Sequence, residues 1–521
     1  MRLENYLGGR WVAGSEAGAP LLDPVNGREL ARAGSAGIDL TGALQYARQQ
    51  AAGLHALGYR QRAVLLKAVA ELLATQRDKY YQLALENSGN TRTDAALDID
   101  GGIGTLRYYA AIGEGLGDGS WLVEPGSERL ARDAAFRAVH LLTPLNGVAL
   151  HINAFNFPSW GLWEKAAVAL LSGVPVMAKP ATVTALLANV MVRDVIEAGI
   201  LPPGVLSLLC GGGHTLPDLL GPYDALAFTG SVETAQLLRR NHHLLTINPR
   251  INVEADSLNV ALLGPDATPG SAEFGLFVAE VVREMTQKAG QKCTAMRRLL
   301  VPAAQLDAVT EALREALAAV VVGDPRNPEV QMGPLVSKEQ QRQAWHGIAR
   351  LEGEADLVCG GRGDFPLVDA DPARGCFVPP TLLRCAHPEG GMVVHQVEVF
   401  GPVATLMPYR SPSEAYALAA RGGGSLVASV FSGDDAFATA AAVALAPVHG
   451  RVLLVDAAIG GSHTGHGVVM PQCVHGGPGR AGGGEELGGL RGLRFYHQRS
   501  ALQGRAERLE ALRGEGSALP G

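Results

Sequence analysis

Charge is scarce in this chain, and neither sign dominates. Only 18% of the 521 residues are charged, with 44 Lys+Arg against 51 Asp+Glu. A nucleic-acid binder usually carries a basic excess or patch, so that partner class is set aside. Cysteine is scarce too: six residues, at 210, 293, 359, 376, 385 and 473, with no CxxC pair. That is too few for a disulfide scaffold. It reads as reduced thiols in the cytoplasm, one of them free for chemical use. The opening MRLENYLGGRWVAGS has no apolar run of signal-peptide type. No stretch reaches the ~18 consecutive apolar residues of a membrane span. The longest candidate, 166–178, is interrupted by Ser172, Gly173 and Pro175.

Glycine is what the chain has in excess. There are 66 in 521 residues, about 13% against an average near 7%. They follow no period, which excludes a collagen-like chain. With 47% hydrophobic residues the composition excludes disorder as well. Length alone suggests two to four domains around sizeable cores.

Hydrophobic periodicity predicts one long amphipathic helix over 60–86 and a second over 94–112, interrupted at Gly101 and Gly102. Strands are expected at 134–142 and 147–152. Helix and strand patterns then alternate from 160 to 262, and a second alternation runs on to 455. Such alternation implies βαβ units and parallel sheets. The expected organisation is a dinucleotide-binding domain over 1–133 and 148–262 and a catalytic domain over 263–475. The strand pair at 134–147 fits neither alternation and is expected to reach toward a partner subunit. The tail, polar after Gln503, is expected to fray.

Several residues at element ends could carry chemistry. Cys293, in Gly290-Gln-Lys-Cys-Thr294, follows a predicted helix, and Gly290 and Lys292 could give the thiolate an amide-rich or electropositive setting. The plainer reading is a small buried hydrophobe. Glu254 ends a buried strand, either paired structurally or serving as a base. Asn156 lies between a strand and the helix opened by Pro158, where its amide could donate to an oxyanion or satisfy its own loop. In Phe228-Thr-Gly-Ser231, Gly230 permits a tight turn and Ser231 can cap a helix whose N-terminus faces an anion. Lys179 ends another strand, at the sheet edge where cofactor hydroxyls bind. A thiol, a carboxylate and an amide beside a dinucleotide-type sheet suit an acyl-enzyme route, with thiolate attack on a carbonyl, hydride departure and hydrolysis.

Together these motifs resemble the aldehyde dehydrogenase superfamily over nearly the whole chain. Asn156-Phe-Pro158, Lys179-Pro180, Phe228-Thr-Gly-Ser231, Glu254, Gly290-Gln-x-Cys293 and Glu398-Val-Phe-Gly-Pro402 fall in the family's order. The resemblance implies an α/β fold of two Rossmann-like parallel-sheet domains plus a small β oligomerisation arm at 134–147 and 476–500. It also implies a homodimer or higher homo-oligomer. By position, Cys293 would be the nucleophile, Asn156 and the Cys293 N–H the oxyanion donors, and Glu254 the general base. Lys165 and Glu486 would form a proton exit route. Lys179 and Glu398 would hold the two riboses, Gly230 and Ser231 the pyrophosphate, and Phe400 would pack near the nicotinamide.

The departures from the family pattern are informative. Phe155 replaces the common Trp before the oxyanion Asn, and Ala235 replaces a common Gly. Thr182 stands where a Glu often follows Lys-Pro. An acidic side chain there repels a 2′-phosphate, so Thr182 leads to an expectation of NADP over NAD. His463-Thr-Gly-His-Gly467 and the run from His475 to Gly489, with Val253–Asn259, resemble one subgroup in particular. Its members oxidise CoA-linked semialdehydes, of 3,4-dehydroadipyl-CoA semialdehyde type, in aromatic-compound degradation. The stand-alone members are the better match, because the short tail leaves no room for the hydratase-like domain of bifunctional ones. A general medium-chain aldehyde dehydrogenase, a CoA-acylating enzyme and a non-catalytic use of the fold are the alternatives. Glu254 argues against the acylating route, which needs no activated water. His463, His466, Cys473 and His475 have a spacing open to zinc, but the subgroup motif accounts for them and no metal is expected. Arg480 is either a CoA-phosphate ligand or a solvated loop residue.

Overall fold

The computed structural model describes residues 1–519. Two seven-stranded sheets organise the chain. The first runs Arg250–Glu254, Ala225–Thr229, Ala149–Ile152, Val176–Lys179, Leu206–Leu208, then Asn5–Leu7 and Arg10–Val12 at one edge. Its first five strands are parallel and the last two are antiparallel additions. The second sheet runs Asp356–Cys359, Thr381–Arg384, Val403–Tyr409, Arg298–Pro302, Val260–Leu263, Ser425–Phe431 and His449–Val455. All its pairings are parallel except the first. Strands such as Val260–Leu263 and Ser425–Phe431 are buried along their whole length. Continuous apolar runs of this kind suit parallel strands covered on both faces. The boundary expected at 262 falls inside Val260–Leu263, which belongs to the second sheet.

Strand order in the first sheet reverses at Ala149–Ile152, which lies between Ala225–Thr229 and Val176–Lys179. A crevice opens at the carboxyl ends of strands where the order reverses. Register aligns those ends: Ile152 is opposite Lys179, Phe228 is opposite Ile152, and Thr229 is opposite Glu254.

The helices depart from expectation in two places. The stretch expected as one helix is two, Tyr59–Thr75 and Arg77–Ser88, divided at Gln76 (φ −105°, ψ 9°). Conversely, Arg92–Leu116 passes through Gly101 and Gly102 without a break, opened by a Thr91–Asp94 capping box. The glycines serve close packing here: a Cβ on Gly101 would overlap the Trp160 ring, and one on Gly102 would lie 3.1 Å from Ser159 Oγ. Helix Trp160–Leu171 thereby packs tightly on this long helix, and ten of its twelve residues are buried.

A separate sheet pairs Phe136–Pro144 with His497–Arg505 in antiparallel register and adds Leu122–Val123 and Ser517–Ala518. The tail expected to fray is structured. Ala506–Glu515 is a helix whose Leu509 packs with Val123 and Val139, and Ser517–Ala518 pairs with Leu122–Val123. Most of its polar residues face solvent while Leu509, with Leu512 beside it, and Leu519 anchor it. Among the described residues no helix is long and apolar enough to cross a membrane.

Candidate active site

The site lies between the carboxyl ends of the first sheet and the segments that lead into strands of the second. Cys293 precedes Arg298–Pro302, and Glu398 and Phe400 precede Val403–Tyr409. The Cys293 loop begins with Lys288 (φ 53°), Ala289 (φ 51°) and Gly290 (φ 66°), three consecutive left-handed residues. Such a run is strained for non-glycine residues and persists only where its surroundings fix it. They do so here. Asp94 Oδ1 accepts the Lys288 N–H at 2.9 Å. Arg297 donates to the carbonyls of Gly401, Gly290 and Lys292 at 2.6, 2.8 and 3.2 Å. Asn259 Nδ2 donates to the Cys293 carbonyl at 2.7 Å. Gly290 has no alternative, because a Cβ would run into the Gly401 carbonyl and lie 2.8 Å from Pro402 Cα.

Lys292 does not activate the thiol as its position suggested. Its Nζ is 2.8 Å from Glu284 Oε1 and 2.8 Å from Gln287 Oε1, and both charged side chains are 1% exposed. Cys293 instead lies among carboxylates. Burial, then Glu254, Glu164 and Glu398, push its thiol well above the usual range. That setting favours the thiol over the thiolate, and a proton acceptor beside the sulfur would be needed for it to act as a nucleophile.

Such an acceptor is adjacent. Glu254 ends its strand fully buried, its Oε2 lies 3.1 Å from His475 Nε2, and its Oε1 has no partner. Burial alone would raise its carboxyl, but His475, Lys165 and the Cys293 thiol outweigh that and lower it. Asn156, also buried, shares one pocket with Cys293, Glu254, Lys165 and His475. Its loop is fixed by Asn153 N–H donating to the Lys179 carbonyl at 3.0 Å and by Asp98 accepting the Trp160 N–H at 2.7 Å.

Behind this pocket Lys165 Nζ meets Glu164 Oε1 at 3.1 Å and Glu486 Oε2 at 3.2 Å. Glu164 and Lys165 line the pocket on one side and, with Glu486, a small cavity on the other. Burial opposes the charge on Lys165, yet Glu486, Glu164 and Glu254 hold it above its ordinary value. Glu486 is carried on a hairpin of Val474–Gly476 and Glu485–Leu487, directly opposite His475. The Gly-rich stretch is thus an ordered turn. Its Arg480 reaches Asp256 (3.5 Å) and the Gln396 carbonyl (2.9 Å), so the structure occupies it with internal contacts.

A cleft of about 780 Å³ continues from Cys293 and Glu254 along Phe155, Lys179, Gly230, Ser231, Glu398 and Phe400. Its size suits a ligand of dinucleotide class. Glu398 Oε1, 3.7 Å from Arg297 Nε, and Thr229 Oγ1 are buried there without hydrogen-bond partners, which fits a site awaiting hydroxyl or amide groups. Glu398 Oε2 accepts the Ser257 N–H at 2.9 Å, and burial raises its carboxyl to about 7. Phe155 and Phe400 meet edge to face, 5.6 Å between centroids. Ser231 caps helix Val232–Arg239 by accepting the Thr234 N–H, while Asp256 accepts the Val232 N–H at 3.0 Å. The helix start thus already carries an internal anion. Thr182 does not line the cleft; its hydroxyl donates to the Gly211 carbonyl at 3.3 Å.

The model of the aldehyde dehydrogenase family matches residues 11–500. The chain belongs to the aldehyde dehydrogenase family. It is 54% identical over 479 residues to the 3,4-dehydroadipyl-CoA semialdehyde dehydrogenase of Aromatoleum evansii, covering 92% of this chain and 93% of the relative. It is 45% identical over 174 residues to Protein MaoC of Klebsiella aerogenes, covering 33% of this chain and 50% of that protein. Betaine aldehyde dehydrogenase of Staphylococcus aureus superposes with a TM-score of 0.83 at 24% identity, covering 96% of each chain. A 3,6-anhydro-L-galactose dehydrogenase reaches 0.84 at 22%, covering 97% of this chain and 100% of that one. At those identities the solved structures speak to the fold.

The four zinc-spaced residues do not gather. His466 Nδ1 is bonded to Ser429 Oγ at 2.6 Å, and Cys473 is exposed. The one group of three metal-type ligands among the described residues is Glu254, Cys293 and His475, with ligand atoms within 4.8 Å of one another. Sequence reasoning missed Glu164, Asp256, Asn259 and Arg297. Asp256 and Asn259 stood within a quoted motif, and Arg297 follows Cys293 by four residues.

Proposed function

We propose that this aldehyde dehydrogenase oxidises a CoA-linked semialdehyde, of 3,4-dehydroadipyl-CoA semialdehyde type, to its carboxylic acid with NADP, in aromatic-compound degradation. The observation that carries the chemistry is one pocket holding Cys293, Glu254 and Asn156, open to the cleft of Glu398 and Lys179. The substrate class is supported by the 54% identity to the Aromatoleum enzyme.

In this reading Cys293 Sγ gives its proton to Glu254 and forms a bond to the aldehyde carbon. The Asn156 amide and the Cys293 N–H hold the resulting oxyanion. The nicotinamide, when bound, supplies the two-electron acceptor that turns the adduct into a thioester on Cys293. Glu254 then takes a proton from water as that water attacks the thioester, and the C–S bond breaks to release the acid. Lys165, Glu164 and Glu486 pass the proton outward. Lys179 and Glu398 hold the riboses, Ser231 and Gly230 receive the pyrophosphate, and Phe155 with Phe400 flanks the nicotinamide. Preference for NADP is supported by sequence position alone: Thr182, whose hydroxyl is turned to the Gly211 carbonyl and away from the cleft, leaves no carboxylate after Lys179-Pro180 to repel a 2′-phosphate. The arm sheet supports a homodimer or higher homo-oligomer, and the free thiols support a cytoplasmic enzyme.

The test is turnover with a CoA-linked semialdehyde against simple C4–C8 aldehydes, with NAD and NADP side by side. A kcat/KM at least tenfold higher for the CoA-linked substrate is expected. Equal turnover of simple aldehydes would favour a general medium-chain enzyme, and a tenfold preference for NAD would overturn the cofactor reading.

A further inference from the structure

The steps above leave one buried titratable side chain in the pocket without a role. His475 lies on Val474–Gly476 and is 6% exposed. Its Nε2 is 3.1 Å from Glu254 Oε2, and the Cys293 sulfur belongs to the same close group. An ionised carboxylate only accepts hydrogen bonds, so a proton on Nε2 is the state that makes this contact attractive. Glu254 has two oxygens in different situations: Oε2 is engaged by the imidazole, and Oε1 is buried and unpartnered.

We propose that His475 is a positioning residue for Glu254. Its Nε2–H donates to Oε2, fixes the carboxylate plane and leaves Oε1 as the atom that takes the proton from thiol and water. The charges around the pair favour this arrangement. Glu254 comes from the strand Arg250–Glu254, Glu164 and Lys165 from helix Trp160–Leu171, Glu486 from the opposite strand of the hairpin, and Arg451 from His449–Val455. Three carboxylates therefore share the region with Lys165 and, more weakly placed, Arg451. Burial disfavours charge on the imidazole, but Glu254 and Glu164 more than offset it and raise His475. An imidazole at 3.1 Å thus offers Oε2 an N–H donor, and a phenyl or aliphatic side chain of similar bulk does not. In deacylation the water O–H bond breaks toward Oε1, the C–O bond forms, and the C–S bond breaks with the proton balance closed on Glu254. His475 neither gains nor loses a proton in that step; it holds the acceptor in place.

The proposal rests on Glu254 being the water-activating base, so the experiment separates the two claims. Cofactor-free enzyme is mixed with p-nitrophenyl acetate, and the burst and the steady release of p-nitrophenol are followed from pH 5.5 to 9. In H475F the burst should stay near one equivalent per active site. Its steady rate should fall about 10- to 100-fold, the range for misplacing a reacting group by a fraction of an ångström to an ångström. H475Q, which restores an N–H donor without a titrating ring, should recover to within about threefold of wild type. A steady rate for H475F within threefold of wild type, with E254Q lacking steady turnover, would overturn the role of His475 alone. Full steady turnover by E254Q would overturn the base reading beneath it. Should H475F fail to fold, H475N, too short to reach Oε2, takes its place with the same expected and refuting results.

Discussion

Replacing Lys292 with Met separates two accounts of the residue next to the nucleophile. Its place in the chain suggests a cation that lowers the Cys293 thiol; its geometry makes it the buried partner of Glu284. At 2.8 Å and an effective dielectric of about 20, the Coulomb attraction is about 6 kcal/mol before desolvation. Removing one partner strands Glu284, whose Oε2 has no bond and whose Oε1 keeps only the Gly467 N–H at 3.2 Å. Breaking a buried pair in this way costs about 3–5 kcal/mol. Lys292→Met should therefore lose about that much in a guanidinium titration followed by tryptophan fluorescence. The double variant Lys292→Met/Glu284→Gln should regain most of it, since replacing both ions is often near neutral. Iodoacetamide labelling of Cys293 in the folded single variant should stay within about twofold of wild type. A tenfold slower labelling with stability unchanged would refute the structural account and restore Lys292 as the activating cation, because a tenfold change reflects about 1.4 kcal/mol on the thiolate.

Four further outcomes are expected. Asn156→Ala should lower kcat/KM about 10²- to 10³-fold, as for loss of one oxyanion donor, with Cys293 labelling unchanged; loss of labelling would mean a misfolded loop. Thr182→Glu should cut kcat/KM with NADP at least tenfold relative to NAD, and an unchanged ratio would remove Thr182 from cofactor choice. Because Glu254, Cys293 and His475 present a carboxylate, a thiol and an imidazole within 4.8 Å, Zn²⁺ should block Cys293 labelling and a chelator should reverse the block. Labelling unaffected by excess Zn²⁺ would show that the three cannot converge on an ion. Leu509→Ala should destabilise the arm by about 2–4 kcal/mol, and a variant indistinguishable from wild type in thermal unfolding would mean the tail helix is dispensable.

What the sequence could and could not disclose follows from the range of the forces involved. The alternation over 160–262, which includes Trp160–Leu171 and Ala225–Thr229, was legible because its apolar patterns are local and turn residues such as Pro158 and Gly230 mark element ends. Gly101 misled because a helix-weakening residue and a close-packing residue look alike until the Trp160 ring is placed against it. The tail misled in the same way: a few leucines, Leu509, Leu512 and Leu519, scattered in a polar run show no clear periodicity, yet they dock where a neighbouring strand is already present. At the site, motif order pointed to Cys293, Glu254 and Asn156, which the structure places around one pocket. The partners that set their chemistry are distant in sequence. His475 is over two hundred residues from Glu254, and Asn259 holds the Cys293 carbonyl from the start of another strand. Charge states could not be anticipated at all. The lysine beside Cys293 turns away, and the nearest charges are carboxylates that keep the thiol protonated at rest. That arrangement has a chemical consequence. A nucleophile held as a thiol is shielded from adventitious oxidation, since the thiolate is the reactive form. In the proposed mechanism it becomes a thiolate as its proton moves to Glu254, the same carboxylate that would later serve the attacking water. On that mechanism one oxygen, Oε1, buried without a hydrogen-bond partner, would be the acceptor in both half-reactions, and whatever fixes its position would govern both.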